Sequence, residues 1–185
     1  MNSNCERLRL DILMPTEEGR FIPQEVLEGM LAQGIPFRLW VSTKVSGGDY
    51  AGARNNIKQY GRSEWILMLD NDLILPAGAI QKMLDFLKAH PGYAAIALAK
   101  YPLGQTNETV INAPHVDMSC VLFRKAVFDQ ITFSEPRKEG RRLPEPYGVC
   151  ECSQCCFDIR QMGLEIGFLT GLHAQHLPDT RFSTN

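Results

Sequence analysis

Trp65-Ile66-Leu67-Met68-Leu69-Asp70-Asn71-Asp72 joins an unbroken apolar run to two carboxylates. Five apolar residues without alternation describe a strand covered on both faces, as in a parallel sheet flanked by helices. The acids begin where that strand stops, and ligands of such sheets sit at the carboxyl ends of the strands. Two carboxylates one residue apart repel each other unless a cation or hydrogen-bond donors compensate. Their hard oxygens suit Mg²⁺ or Mn²⁺, which keep water and borrow phosphate oxygens from a substrate. The competing reading is a solvated turn, since Asp and Asn favour turns.

The flanking sequence repeats the pattern. Leu8, Leu10, Ile12 and Met14 alternate with other residues as in a strand, and Pro15 stops it. Ile22, Val26, Leu27, Met30 and Leu31 recur at helical spacing before Gly34. Residues 37–41 read as a second strand, 46–49 as a turn and 51–60 as a short helix. Pro76 is placed as the first position of a helix striped by Ile80, Met83, Leu84 and Leu87. Residues 94–99 and 119–123 read as strands, the latter followed by a short helix to residue 127. Residues 152–162 read as a helix capped by Gly163, and 164–169 as a returning strand. Residues 134–148, rich in Pro, Gly and charge, form a long loop, and loops of that length often act as flexible lids. The alternation predicts an α/β fold over residues 1–185: one domain, a mostly parallel central sheet and helices on both faces.

Composition narrows the function. With 185 residues, 44% of them hydrophobic, the chain can bury a full core without staples. The net charge of −2 argues against a general nucleic-acid coat or an anionic-membrane binder. No apolar run resembles a signal peptide or reaches the ~20 residues of a transmembrane helix, so a cytoplasmic location with no transmembrane segment is expected. Six cysteines in such a chain are expected to be free thiols.

The order of motifs resembles the family 2 glycosyltransferases of the GT-A fold. Asp11-Ile12-Leu13-Met14-Pro15-Thr16 resembles the family's first strand, which ends in P-T. Ala53-Arg54-Asn55-Asn56 resembles its A-R-N block, and 63–72 followed by Pro76 its D-x-D strand. Ser119-Cys120-Val121-Leu122-Phe123-Arg124 resembles the acceptor-side segment, 151–163 the E-D helix, and His176 the closing histidine. The resemblance implies a nucleotide-diphosphate-sugar donor, UDP- or GDP-linked, and an inverting transfer to a saccharide or other hydroxyl acceptor, with no nucleic acid involved. It implies Asp72 and His176 as ligands of Mn²⁺ or Mg²⁺, and Asp70, Arg54 and Asn55 near the donor. Thr16 and Glu17 would border the nucleotide.

Two departures stand out. The family's base is usually the Asp of the E-D pair, and here the pair reads Glu151-Cys152. A thiol is a poor oxygen-type base, so the base is assigned to Glu151, with Asp117 in reserve. The second strand ends Trp40-Val41-Ser42-Thr43-Lys44 where the family carries acids that read the base and ribose.

Two other readings remain open: a catalytically silent sugar-nucleotide-binding domain, and a zinc-stabilised interaction module. The latter uses Cys150, Cys152, Cys155 and Cys156, with His173 and His176 as further ligands. If 152–162 is helical, those thiols point in different directions, and Cys155 and Cys156 become buried small residues. Arg137, Lys138, Arg141 and Arg142 form a charge run that is either solvated or part of a lid over the diphosphate. His115 stands where it can line the pocket.

Overall fold

The computed structural model describes residues 10–17, 20–45, 49–100 and 107–178. Of Glu17, Lys44 and Val45 only the main chain is described; Cys5, Leu8 and most of the 46–49 turn lie outside. Among the described residues seven strands form one sheet, in the order β2-β1-β3-β7-β5-β8-β6. They are β1 (Leu10–Glu17), β2 (Phe37–Val45), β3 (Trp65–Leu69), β5 (Tyr93–Ala99), β6 (Val110–Asn112), β7 (Cys120–Arg124) and β8 (Glu165–His173). β1 pairs in parallel with β2 and β3, and β5 with β8; β7 and β6 run against their neighbours. A second, two-stranded sheet joins β4 (Leu73–Ile74) to β9 (Gln175–His176).

Helices cover both faces, as the apolar run of β3 requires. Ile66 and Met68 point into a core with Ile57 of α2 (Tyr50–Lys58), Phe128 of α4 (Lys125–Phe128) and Cys155, Cys156 and Ile159 of α5 (Glu151–Gln161). Trp65, Leu67 and Leu69 point into the opposite core, with Val26 and Met30 of α1 (Gln24–Leu31) and the apolar stripe of α3 (Ala79–Ala89). The period of two along β3 thus divides its side chains between two helix layers. Among the described residues no helix is long and apolar enough to cross a membrane.

α3 begins at Ala79, three residues beyond the expected Pro76. Gly78 occupies the left-handed region (φ 73°) just before it, and the Gln33 side chain completes the start. Gln33 Oε1 accepts from Ile80 N at 3.2 Å, while its Nε2 donates to Pro76 O at 3.0 Å. The cap comes from α1's end, far away in sequence, so local spacing does not reveal it. β8 also runs beyond the expected residue 169. Gly171 allows this: it has φ 74°, and a Cβ there would lie 2.4 Å from Asn107 O. The resulting bulge lets Ala99 pair with His173 and carries the chain on to β9.

One carboxylate in the sheet is structural. Asp11 on β1 is fully buried and accepts from Arg38 Nε at 2.7 Å, Arg62 N at 2.6 Å and Ser63 N at 2.7 Å. Burial alone would raise its pKa; the Arg38 guanidinium, the two amides and the Ser63 hydroxyl outweigh burial and hold it below the ordinary carboxylate range. Because the folded pKa lies below the unfolded one, the stabilisation is complete above about pH 4, the unfolded value, and is lost as pH falls through the folded pKa. Asp11→Ala strands two amides and is expected to lower stability by about 3 kcal/mol at pH 7. Urea unfolding should show that loss shrinking as pH falls toward 3; a loss independent of pH would refute the assignment.

Candidate active site

The carboxyl ends of β1, β3 and β5 open into a cavity of about 530 Å³, within the usual range for small-molecule sites. Its polar lining includes Thr16, Arg20, Arg54, Asp70, Asp72, Lys100, His115, Asp117, Ser119, Glu151 and His176.

Arg54 is the centre of this arrangement. Asp49 caps α2 by accepting from Gly52 N at 2.9 Å, and Ala53 and Ile57 turn toward the core. Arg54 is thereby buried to 3% exposure. Its Nη2 donates to Asp70 Oδ1 at 3.1 Å and its Nη1 lies 3.2 Å from Glu151 Oε1. One guanidinium thus fixes an acid at the end of β3 and an acid at the start of α5, residues far apart in sequence. Arg has the planar fork this requires.

Asp70 is held at its main chain, where its amide donates to Ser119 O at 2.8 Å. Its pKa is raised: burial is the main cause, Arg54 opposes it, and the charges of Asp72 and Asp117 add to it. Asp117 behaves differently. Desolvation would raise its pKa, but Ser119 and Lys100 lower it below the ordinary range. Ser119 N donates to its Oδ1 at 2.7 Å and Lys100 Nζ to its Oδ2 at 2.9 Å, and the side chain stays half exposed.

Asp72 and His176 meet through the small sheet. Leu73 pairs with His176, and Leu177 N donates to Asp72 O at 2.8 Å. His176 Nε2 comes to 3.5 Å from Asp72 Oδ2. The charges of Asp72 and Asp117 raise the cost of charging Asp70, and the His176 imidazole stands beside Asp72. Carboxylate oxygens beside an imidazole nitrogen are a donor set that a hard divalent cation can take. Asn71, between the two acids, is buried and donates to Phe21 O at 3.0 Å, so it shapes the turn.

Thr16 lines the cavity, and its buried hydroxyl has no hydrogen-bond partner among the described residues. The side chain of Glu17 lies outside the described residues. Asn55 does not line the cavity. Its Nδ2 donates to Phe133 O at 2.6 Å and its Oδ1 accepts from Phe133 N at 3.0 Å, clamping the segment after α4. Lys100 and Arg20 were not singled out in the sequence, although Lys100 follows a buried strand just as Asp70 does.

The 134–148 loop does not line the cavity. Arg141 is anchored on Gln154 Oε1 and Ser134 Oγ, both at 3.0 Å, and Lys138 on Glu135 at 2.7 Å.

The expectation that all cysteines are free is corrected. Cys150 and Cys152 form a disulfide around Glu151, their Cα atoms 5.4 Å apart where the chain turns into α5. Cys155 and Cys156 are buried, as a helix predicts, and burial raises both thiol pKa values, that of Cys156 to about 11. Burial and the nearby carboxylates of Asp70 and Asp117 raise the Cys120 thiol to about 12. His173 is exposed and does not line the cavity. His115 is the histidine beside the disulfide, with Nε2 3.0 Å from Cys152 Sγ.

The family model described as Glycosyl transferase family 2 matches residues 24–166. No curated protein matches the sequence. Among solved structures, the mannosyltransferase PcManGT from Pyrobaculum calidifontis, in complex with GDP-Man and Mn²⁺, is 14% identical with a TM-score of 0.64. The match covers 94% of this chain and 58% of that one. TarS 1-349 of S. aureus with UDP-GlcNAc is 14% identical at a TM-score of 0.60, over 96% of this chain and 61% of that one. A197 from STIV is 11% identical at 0.59, over 94% and 87%. The shared fold is the GT-A fold. This chain spans about three fifths of the first two proteins' lengths.

Proposed function

Since the chain belongs to glycosyl transferase family 2, we propose that its cavity binds a UDP- or GDP-linked sugar with Mn²⁺ or Mg²⁺ and transfers the sugar, with inversion, to a saccharide or other hydroxyl acceptor. The observation that carries this reading is the Arg54 bridge. It joins the donor-side acid Asp70 to Glu151 across one cavity, with Asp72 and His176 at the edge. The ligands of similar folds support it: GDP-Man with Mn²⁺ in one, UDP-GlcNAc in another.

In this reading Asp70 accepts hydrogen bonds from the donor's ribose or sugar, and the Thr16 hydroxyl finds its missing partner on the nucleotide. Asp72 and His176 hold the cation, which when bound supplies positive charge against the leaving diphosphate. Lys100 and Arg20 add fixed positive charge to the same cavity. The acceptor oxygen attacks the anomeric carbon from the face opposite the diphosphate. Glu151 takes the acceptor's proton as the new bond forms, and the nucleoside diphosphate leaves with the electron pair of the broken bond. Asp117 is the reserve base.

Calorimetry with UDP-, GDP-, CDP- and dTDP-sugars, each with Mn²⁺ and with EDTA, tests this reading. One nucleotide series should bind with metal and lose at least ~10-fold in affinity with EDTA. Failure of every series to bind would overturn it. Cys152, standing where the family carries its acid, favours a second reading, a donor-binding domain without turnover. Donor binding without sugar release to any hydroxyl acceptor or water would establish that alternative.

A further inference from the structure

Cys150, Cys152 and His115 line the cavity beside Glu151. The imidazole Nε2 and the two sulfurs all lie within 4.8 Å of one another. Nε2 is 3.0 Å from Cys152 Sγ and 3.7 Å from Cys150 Sγ. Around tetrahedral zinc, with bonds of about 2.0 Å to nitrogen and 2.3 Å to sulfur, neighbouring ligand atoms stand roughly 3.3–3.8 Å apart. The imidazole therefore already sits near shell distance from both sulfurs. Only the sulfurs must separate, and they do so when their bond is reduced.

We propose that the reduced chain binds one thiophilic divalent cation, Zn²⁺, through Cys150, Cys152 and His115, with the fourth position open to the cavity. Two thiolates and an imidazole select zinc over the hard cations that suit Asp72 and His176. Two molecules of a low-molecular-weight thiol reduce the disulfide: they leave as their own disulfide, and the protein gains two thiols. Zn²⁺ then replaces the two thiol protons, which pass to water. Disulfide and zinc exclude each other, so the redox state of the pair decides whether the site exists, and a reducing compartment favours the dithiol. Cys155 and Cys156 stay in the core and are not ligands. This site differs from the zinc cluster weighed as an alternative in the sequence, since His115 replaces His173 and His176. It does not depend on the glycosyltransfer reading.

Titration of the full chain with Co²⁺ tests the proposal. The chain is reduced with a dithiol and desalted without oxygen. One Co²⁺ per chain should bind with a thiolate-to-cobalt charge-transfer band, and Zn²⁺ should displace it. The bridged chain should show no band. His115→Ala, at an exposed position, should weaken Co²⁺ binding at least ~10-fold, and Cys150→Ser should remove most of the band. Asp72→Ala should leave it unchanged, which separates this site from the donor-side metal. Absence of the band in the reduced chain would overturn the proposal, as would an unchanged band in both His115→Ala and Cys150→Ser. Should Cys150→Ser not fold, His115→Ala decides.

Discussion

Glu151→Gln is expected to lower sugar transfer about 10³-fold, within the range assigned to a general base, while donor affinity changes less than ~3-fold. The carboxylate opens α5 and its side chain is 14% exposed. Arg54 Nη1 holds it 3.2 Å away, and the amide of Gln can still accept that hydrogen bond through its own oxygen. The substitution therefore keeps the side chain's shape and the Arg54–Asp70 contact while removing the carboxylate that takes a proton. Initial rates at saturating donor, set beside calorimetric donor affinity, separate the two effects. Retained turnover would move the base to Asp117. Two donors already hold that carboxylate, and its pKa lies below the ordinary range, which weakens it as a proton acceptor. A parallel loss of donor affinity would instead show that Glu151 acts through Arg54.

The sequence revealed what local periodicity encodes. β3 was legible because both its faces are covered, leaving no polar residue to interrupt it. Asp70 and Asp72 were legible because they follow that run directly. β4, β6 and β9 were not, since strands of two or three residues carry no period. The start of α3 was misplaced because its cap, Gln33, belongs to a distant element. Arg54 and Asn55 look alike in sequence as polar neighbours on a helix. One residue rotates the side chain by about 100° on a 3.6-residue turn, which sends Arg54 into the cavity and Asn55 to the main chain of Phe133. The Cys150–Cys152 bond was missed because export signals and composition speak to the compartment, whereas this bond follows from a local turn. His115 entered the sequence reading only as a residue able to line the pocket. Its place beside Cys152 depends on packing between the 113–119 segment and α5, where Val116 N donates to Cys156 Sγ at 3.5 Å.

Asp72→Ala is expected to weaken Mn²⁺-dependent donor binding at least ~10²-fold and to leave the EDTA-treated affinity unchanged. Metal sites built from few protein ligands lose most of their affinity with one carboxylate, because water is a poor substitute for an anionic oxygen. The fold should tolerate the change. Asp72 contributes its carbonyl to Leu177 N, a main-chain contact that Ala retains, and its carboxylate lies near the His176 imidazole. Removing its charge also relieves one of the repulsions that raise Asp70, so stability should hold or increase slightly. Calorimetry of donor with Mn²⁺ and with EDTA, run beside urea unfolding, reads both quantities. Undiminished metal-dependent binding would place the cation on Asp70 and Asp117 instead. That outcome would put the cation within reach of Lys100 and Arg54, where two positive groups oppose it. The structure therefore favours Asp72 on electrostatic grounds as well as position: it is the one acid of the three at this edge without a Lys or Arg ion pair among the described residues.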